Sequence, residues 1–194
     1  MDKAKRSISY VHENKYDKYV GVLLVFAGIS GAFDRAVGKN LGDHLTLITI
    51  LGICIILGEL LGWISNYLYS ALISWTGKWL NGKADTISIL RILAYASTPS
   101  ILALILLIPQ IGIYGLEVFK EEGDTTSGSS VIIVIFFGSL TLEMILGIVS
   151  IIFSVIGISE VQNFEIGKAI LNLILPAIII MGPILFLVFI ASTF

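Results

Sequence analysis

Five stretches of this chain stay apolar for longer than any soluble core element requires. They fall at about residues 19–36, 45–75, 95–115, 131–157 and 169–189. A helix that crosses a membrane needs about 20 mostly apolar residues. The first stretch is short, its purely apolar part ending at Phe33 before Asp34 and Arg35. The second is long enough that it must tilt or protrude. All five are continuously apolar rather than alternating, which excludes the roughly 10-residue strands of a membrane barrel. The pattern predicts an all-α polytopic membrane protein, a bundle of five transmembrane helices spanning residues 19–194.

Composition agrees. Of 194 residues, 56% are hydrophobic and 13% charged, too little polar surface to cover a soluble core. The formal net charge of −2 comes with no basic face to track phosphates, so nucleic acid is not an expected partner. Cys54 is the single cysteine. It rules out an internal disulfide and reads as a small buried hydrophobe.

The stretch MDKAKRSISYVHENKYDKY is basic and polar. It is long for a signal-peptide n-region, so residues 1–18 are expected to form a cytosolic tail ahead of the first span. Basic residues then set the orientation. Lys3, Lys5, Arg6, Lys15, Lys18, Lys78, Lys83, Arg91 and Lys168 fall on one side of the spans, leaving only Arg35, Lys39 and Lys120 on the other. The N-terminus is therefore expected to be cytoplasmic and the C-terminus outside. The outer loop LEVFKEEGDTTSGSS reads as a solvated acidic patch around Glu117, Glu121, Glu122 and Asp124, without metal-loop spacing.

Two inner connections follow. In KADTISILRILAYASTP, Asp85 or Thr86 suits a helix N-cap. Ile89, Leu90 and Leu93 fall on one face with Arg91 off it, so this helix lies in the interface or extends the third span inward. SEVQNFEIGKA is shorter. Lys78, Lys83, Arg91, Glu160 and Lys168 are the candidate residues of an inner interaction surface. Tyr67, Tyr69, Trp75 and Trp79 suit a headgroup-level aromatic belt.

Chemistry inside the spans is sparse. Glu59 and Glu143 interrupt the second and fourth spans, which run in the same direction. Counted from Leu45 and Val131, their depths differ by about 3 Å at 1.5 Å per residue, and both fall near the midplane. Gly62, Asn66 and Ser70 follow Glu59 at helical spacing. Ser139, Gly147, Ser150 and Ser154 flank Glu143 in the same way. Small and polar stripes pack against other helices, so both acids are expected to point inward and to approach each other. No Lys, Arg or His lies within a span to pair with them. The candidate intramembrane site is therefore Glu59, Glu143, Asn66, Asn172, Ser139 and Ser150. It serves as hydrogen-bonded helix glue, as a proton- or cation-handling pair, or as a polar pocket for a lipid or small ligand.

Catalysis is not expected. His12 and His44 lie outside the spans, HExxH is absent, and the glycines form no phosphate loop. No metal site or cofactor is implied.

The stretch WTGKWLNGKADTISILRILAYASTPSILALILLIPQIG resembles the core of the Yip family, five-span membrane proteins named for interaction with Ypt/Rab GTPases. Its Gly-Lys inner loop, the Leu-Arg-Ile-Leu-Ala-Tyr run, Pro99 and Pro109 carry the likeness. Glu160, Val161, Gly167, Lys168, Ala169 and Pro176 continue it in VGISEVQNFEIGKAILNLILP. Eukaryotic relatives sit in ER and Golgi membranes and act in vesicle traffic, with Rab binding tied partly to a long cytosolic N-terminal region. A tail of about 18 residues resembles the short bacterial form, so a Rab-type partner is not expected. The resemblance implies a membrane-organising or trafficking-type interaction protein without catalysis. Its expected partners are the lipid bilayer and itself or another membrane protein, in a bacterial inner membrane or, if eukaryotic, ER or Golgi. The alternatives are a proton- or cation-coupled transporter or channel using Glu59 and Glu143, and a lipid-binding membrane module.

Overall fold

The computed structural model describes residues 17–125 and 129–193. Residues 1–16, most of the expected tail, lie outside the described residues. Among the described residues six helices follow in order: α1 Val20–Gly38, α2 Leu47–Trp79, α3 Thr86–Ala96, α4 Thr98–Tyr114, α5 Ser130–Gln162 and α6 Ile166–Thr193. Short 3-10 turns occupy Leu41–Asp43 and Gly115–Phe119. No strand occurs among the described residues. With α3 and α4 taken together, five helical segments among the described residues are long and apolar enough to cross a membrane.

The α3–α4 break has a local cause. Pro99 sits in the first turn of α4, where its missing N–H costs no helical bond. Ser97 Oγ donates to Ala94 O at 2.8 Å and Thr98 Oγ1 donates to Tyr95 O at 2.7 Å, taking up carbonyls at the end of α3. At the other end of α3, Asp85 is the N-cap, accepting from Ser88 N–H at 3.3 Å. Bonding to Ser88, side chain first, holds the Asp85 carboxyl below its usual range, aided by the nearby charge of Arg91.

The chain forms two compact units. Of the described residues, the first gathers 67–93 and 154–193; the second gathers 17–66 and 94–153. The core of the first is built from Ile73, Ile89, Ile92, Leu93, Ile158, Val161, Phe164 and Ala169. Burial around α3 is not one-sided: every residue from Ile89 to Leu93 is buried. Arg91 is only 5% exposed. Of the two expected placements, the surface-lying helix with Arg91 off its apolar face is corrected, because this helix is packed into the core, while extension of the third span agrees with the apolar segment Thr86–Phe119.

The core of the second unit joins Phe33, Ala36, Ile50, Cys54, Tyr114, Val118, Phe119 and Phe136. Here α1 meets α2 backbone to backbone. A methyl group added at Gly28 would collide with the Gly58 carbonyl and the Gly62 Cα, and one at Gly58 would lie 2.9 Å from Ile29 Cα. Small residues permit such approach between membrane helices, where van der Waals contact replaces a hydrophobic driving force.

Candidate functional site

Three helices of the second unit turn polar faces toward one cavity of about 530 Å³. Helical spacing places Ser30 and Asp34 one turn apart on α1, and Ser100, Leu104, Leu107 and Gln110 along one face of α4. α5 contributes Phe136, Leu140, Glu143 and Gly147, and the loop after α4 supplies Glu117, Lys120, Glu121 and Thr125.

Gln110 organises the polar wall. It is 3% exposed, and its Nε2 donates to Ser139 Oγ at 2.8 Å and to Glu143 Oε1 at 2.7 Å. Ser139 in turn donates to Phe136 O at 2.7 Å. A second polar seam joins all three helices. Ser30 Oγ donates to Ser100 O, and Ser100 donates to Ser150 Oγ from both its hydroxyl and its backbone N–H. In the loop, Lys120 Nζ is held by Glu117 Oε1 at 2.6 Å. Glu117 also accepts from Asp124 N–H at 3.2 Å. Glu117 and Glu121 line the cavity, while Glu121, Glu122 and Asp124 are exposed, as expected of a solvated acidic patch.

The expected pairing of Glu59 with Glu143 is corrected. Glu143 meets Gln110, whereas Glu59 is exposed and lines no part of this cavity. The buried positions of α2 in this unit are Ile50, Cys54, Gly58 and Gly62, four residues apart. Glu59 is turned about 100° from Gly58 and so leaves the seam against α1. Asn66 is half-buried and donates to Gly62 O of its own helix. Ser139 and Ser150 are buried and join the network around the cavity.

Asn172 belongs to the first unit. Fully buried, its Nδ2 donates to Thr76 Oγ1 at 2.8 Å and Ile73 O at 3.0 Å. Gln162 Nε2 donates to Asn172 Oδ1 at 3.3 Å, and Gln162 Oε1 accepts from Ala84 N–H at 2.9 Å. Lys78, Lys83 and Lys168 are exposed on this unit, while Glu160 is half-buried. Asp34 and Gln110 are the residues sequence reading missed. In the sequence Asp34 marks the end of an apolar run, and Gln110 stands beside Pro109 inside another.

Among the described residues, no three His, Cys, Asp or Glu side chains gather as a metal site. The arrangement suits recognition of positive charge: four carboxylates, Asp34, Glu117, Glu121 and Glu143, share a cavity with one ammonium, Lys120. A family model described as Yip1 domain matches residues 9–188. Neither the curated proteins nor the solved structures gave a match.

Proposed function

The chain belongs to the Yip family of membrane proteins, and from that premise we propose that it works without catalysis, as a membrane-embedded module whose cavity among α1, α4 and α5 receives a positively charged group. The observation that carries this reading is Glu143, fixed by Gln110 in a cavity it shares with Asp34, where the single ammonium is already tied to Glu117. At an effective dielectric near 20, opposite charges 4 Å apart attract by about 4 kcal/mol, several times the value in water. Carboxylates gathered in a cleft with apolar walls focus their field and raise the local concentration of cations. The distribution of Lys and Arg supports a cytoplasmic N-terminus, which puts the loop residues 117–125 at the outer face. A bacterial inner membrane is the proposed location.

The test is thermal unfolding of the purified chain in nanodiscs, titrated with organic cations at constant ionic strength. The parent should be stabilised, since a ligand that binds only the folded state raises its stability. An Asp34→Asn, Glu143→Gln double variant should not respond. A double variant that responds like the parent sinks the reading.

The exposure of Lys78, Lys83 and Lys168 in the first unit favours a second reading, a membrane-organising role through contact with another copy or another membrane protein. Replacing all three by Glu should reduce cross-links formed in membranes and leave the cation response intact. Unchanged cross-links would remove this role. Transport through a Glu59–Glu143 pair is not supported by their positions.

A further inference from the structure

Resting on the cation-cleft reading, we infer that the group received is a primary ammonium carried on an apolar chain, its N–H donors taken by Gln110 Oε1, Glu143 and Asp34. The unused acceptors select the donor. Both polar contacts of Gln110 run through Nε2, so among the described residues its Oε1 accepts nothing, although the side chain is 97% buried and lines the cavity. Ser139 gives its O–H to Phe136 O and so can only accept from Gln110, as can an ionised Glu143, which turns Nε2 toward both and leaves Oε1 free. Glu143 Oε1 takes one bond, leaving its second oxygen, and the Asp34 carboxylate accepts no hydrogen bond among the described residues. Three side chains with acceptors to fill match the three donors of –NH₃⁺.

A quaternary ammonium has no N–H to offer, and the alternative that recognises it, an aromatic cage, is not built here. The cavity's aromatic rings are Phe33 and Phe136. Phe33 packs on Phe119 with centroids 6.4 Å apart, and Phe136 packs edge-on against Tyr114 at 4.9 Å. A metal ion lacks the three-ligand cluster it needs. The walls of Leu104, Leu107 and Leu140 suit the apolar chain attached to the amine. Such an amine comes from an aminophospholipid headgroup or from a free alkylamine.

The experiment uses the full chain in phosphatidylcholine nanodiscs and compares binding of nonylamine with its N,N,N-trimethyl counterpart. The primary amine should bind at least about 10-fold tighter, a preference of about 1.4 kcal/mol. Asp34→Asn, which disturbs no hydrogen bond within the unit, should weaken it about 10-fold. Replacing part of the phosphatidylcholine by phosphatidylethanolamine should compete with nonylamine if the lipid is the source. Absence of competition with binding retained assigns the site to free amines. Equal binding of the two cations, lost in the Asp34→Asn variant, overturns the ammonium inference while leaving a cation cleft. Binding of neither, with no thermal response to any cation, overturns both.

Discussion

Each compact unit buries a glutamine, and the two are used differently. In the first unit, Gln162 has its amide nitrogen donating to Asn172 and its oxygen accepting from Ala84 N–H. Asn172 passes the chain of bonds to Thr76, which donates to Leu72 O. The network is neutral and closed. In the second unit, Gln110 donates twice but accepts nothing among the described residues, and one of its bonds ends on a carboxylate facing a cavity. A closed neutral network holds helices together; an open one ending on charge leaves room for something to bind. Residue type does not separate the cases, since both center on an amide. The balance of donors and acceptors does.

The sharpest way to break this distinction is to remove one member from each network. Asn172→Leu leaves Gln162 Nε2 without its acceptor and takes a donor from Thr76 Oγ1 and Ile73 O in a closed interior, and should cost about 2–3 kcal/mol. Gln110→Leu frees groups that face the cavity and can be solvated, so its cost should be less than half as large. Forced unfolding in bicelles measures both, and equal losses would dissolve the distinction. Next in size is Gly28→Ala, which overpacks the α1–α2 seam and should cost about 2 kcal/mol. A neutral result there would mean that the openness of the second unit extends beyond its cavity.

Asp85→Ala removes the cap of α3 and should cost about 1 kcal/mol. This effect has a pH signature. Because the folded-state pKa lies below the ordinary 3.8, the stabilisation is present above that value and is lost as pH falls through the depressed folded value. Unfolding measured from pH 6 to pH 3 should therefore show parent and variant converging at the acid end. Convergence at the alkaline end would contradict the cap assignment. The smallest stability effect belongs to Glu143→Gln, within about 0.5 kcal/mol, because the new amide oxygen still accepts from Gln110. A large loss would place Glu143 with the structural network of the first unit.

The five apolar spans were legible because length and continuity decide them without reference to partners. The small, polar stripe of the fourth span was legible too: Ser139, Ser150 and Gly147 face inward or line the cavity with Glu143. Glu59 was misread because two helical steps fit its neighbours equally well. Positions three and seven on from Glu59 are Gly62 and Asn66, but packing follows the four-residue series through Gly58. One residue's offset turns a side chain by about 100°, and only the identity of the facing helix, α1 with Gly28, decides it. Arg91 misled for a related reason. An arginine off an apolar face reads as surface until a core is known to surround it. Gln110 carried a signal that went unused, a lone amide within its span, whereas the lone acid of the next, Glu143, was read as a site residue.

The glycine contact between α1 and α2 has an electrical consequence. Asp34 lies six residues beyond Gly28, about 9 Å along the helix axis, so backbone contact at Gly28 sets how far its charge stands within the membrane field. Side chains can change rotamer to let helices slide; two backbones in contact cannot. The fraction of the field crossed by an entering cation is then a constant of the protein, worth about 0.2 kcal/mol per 100 mV for each tenth of the field. Cation occupancy in polarised vesicles should follow voltage with one slope at every potential. A slope that changes with potential would mean that α1 moves, and Gly28→Ala is the variant in which such a change should first emerge.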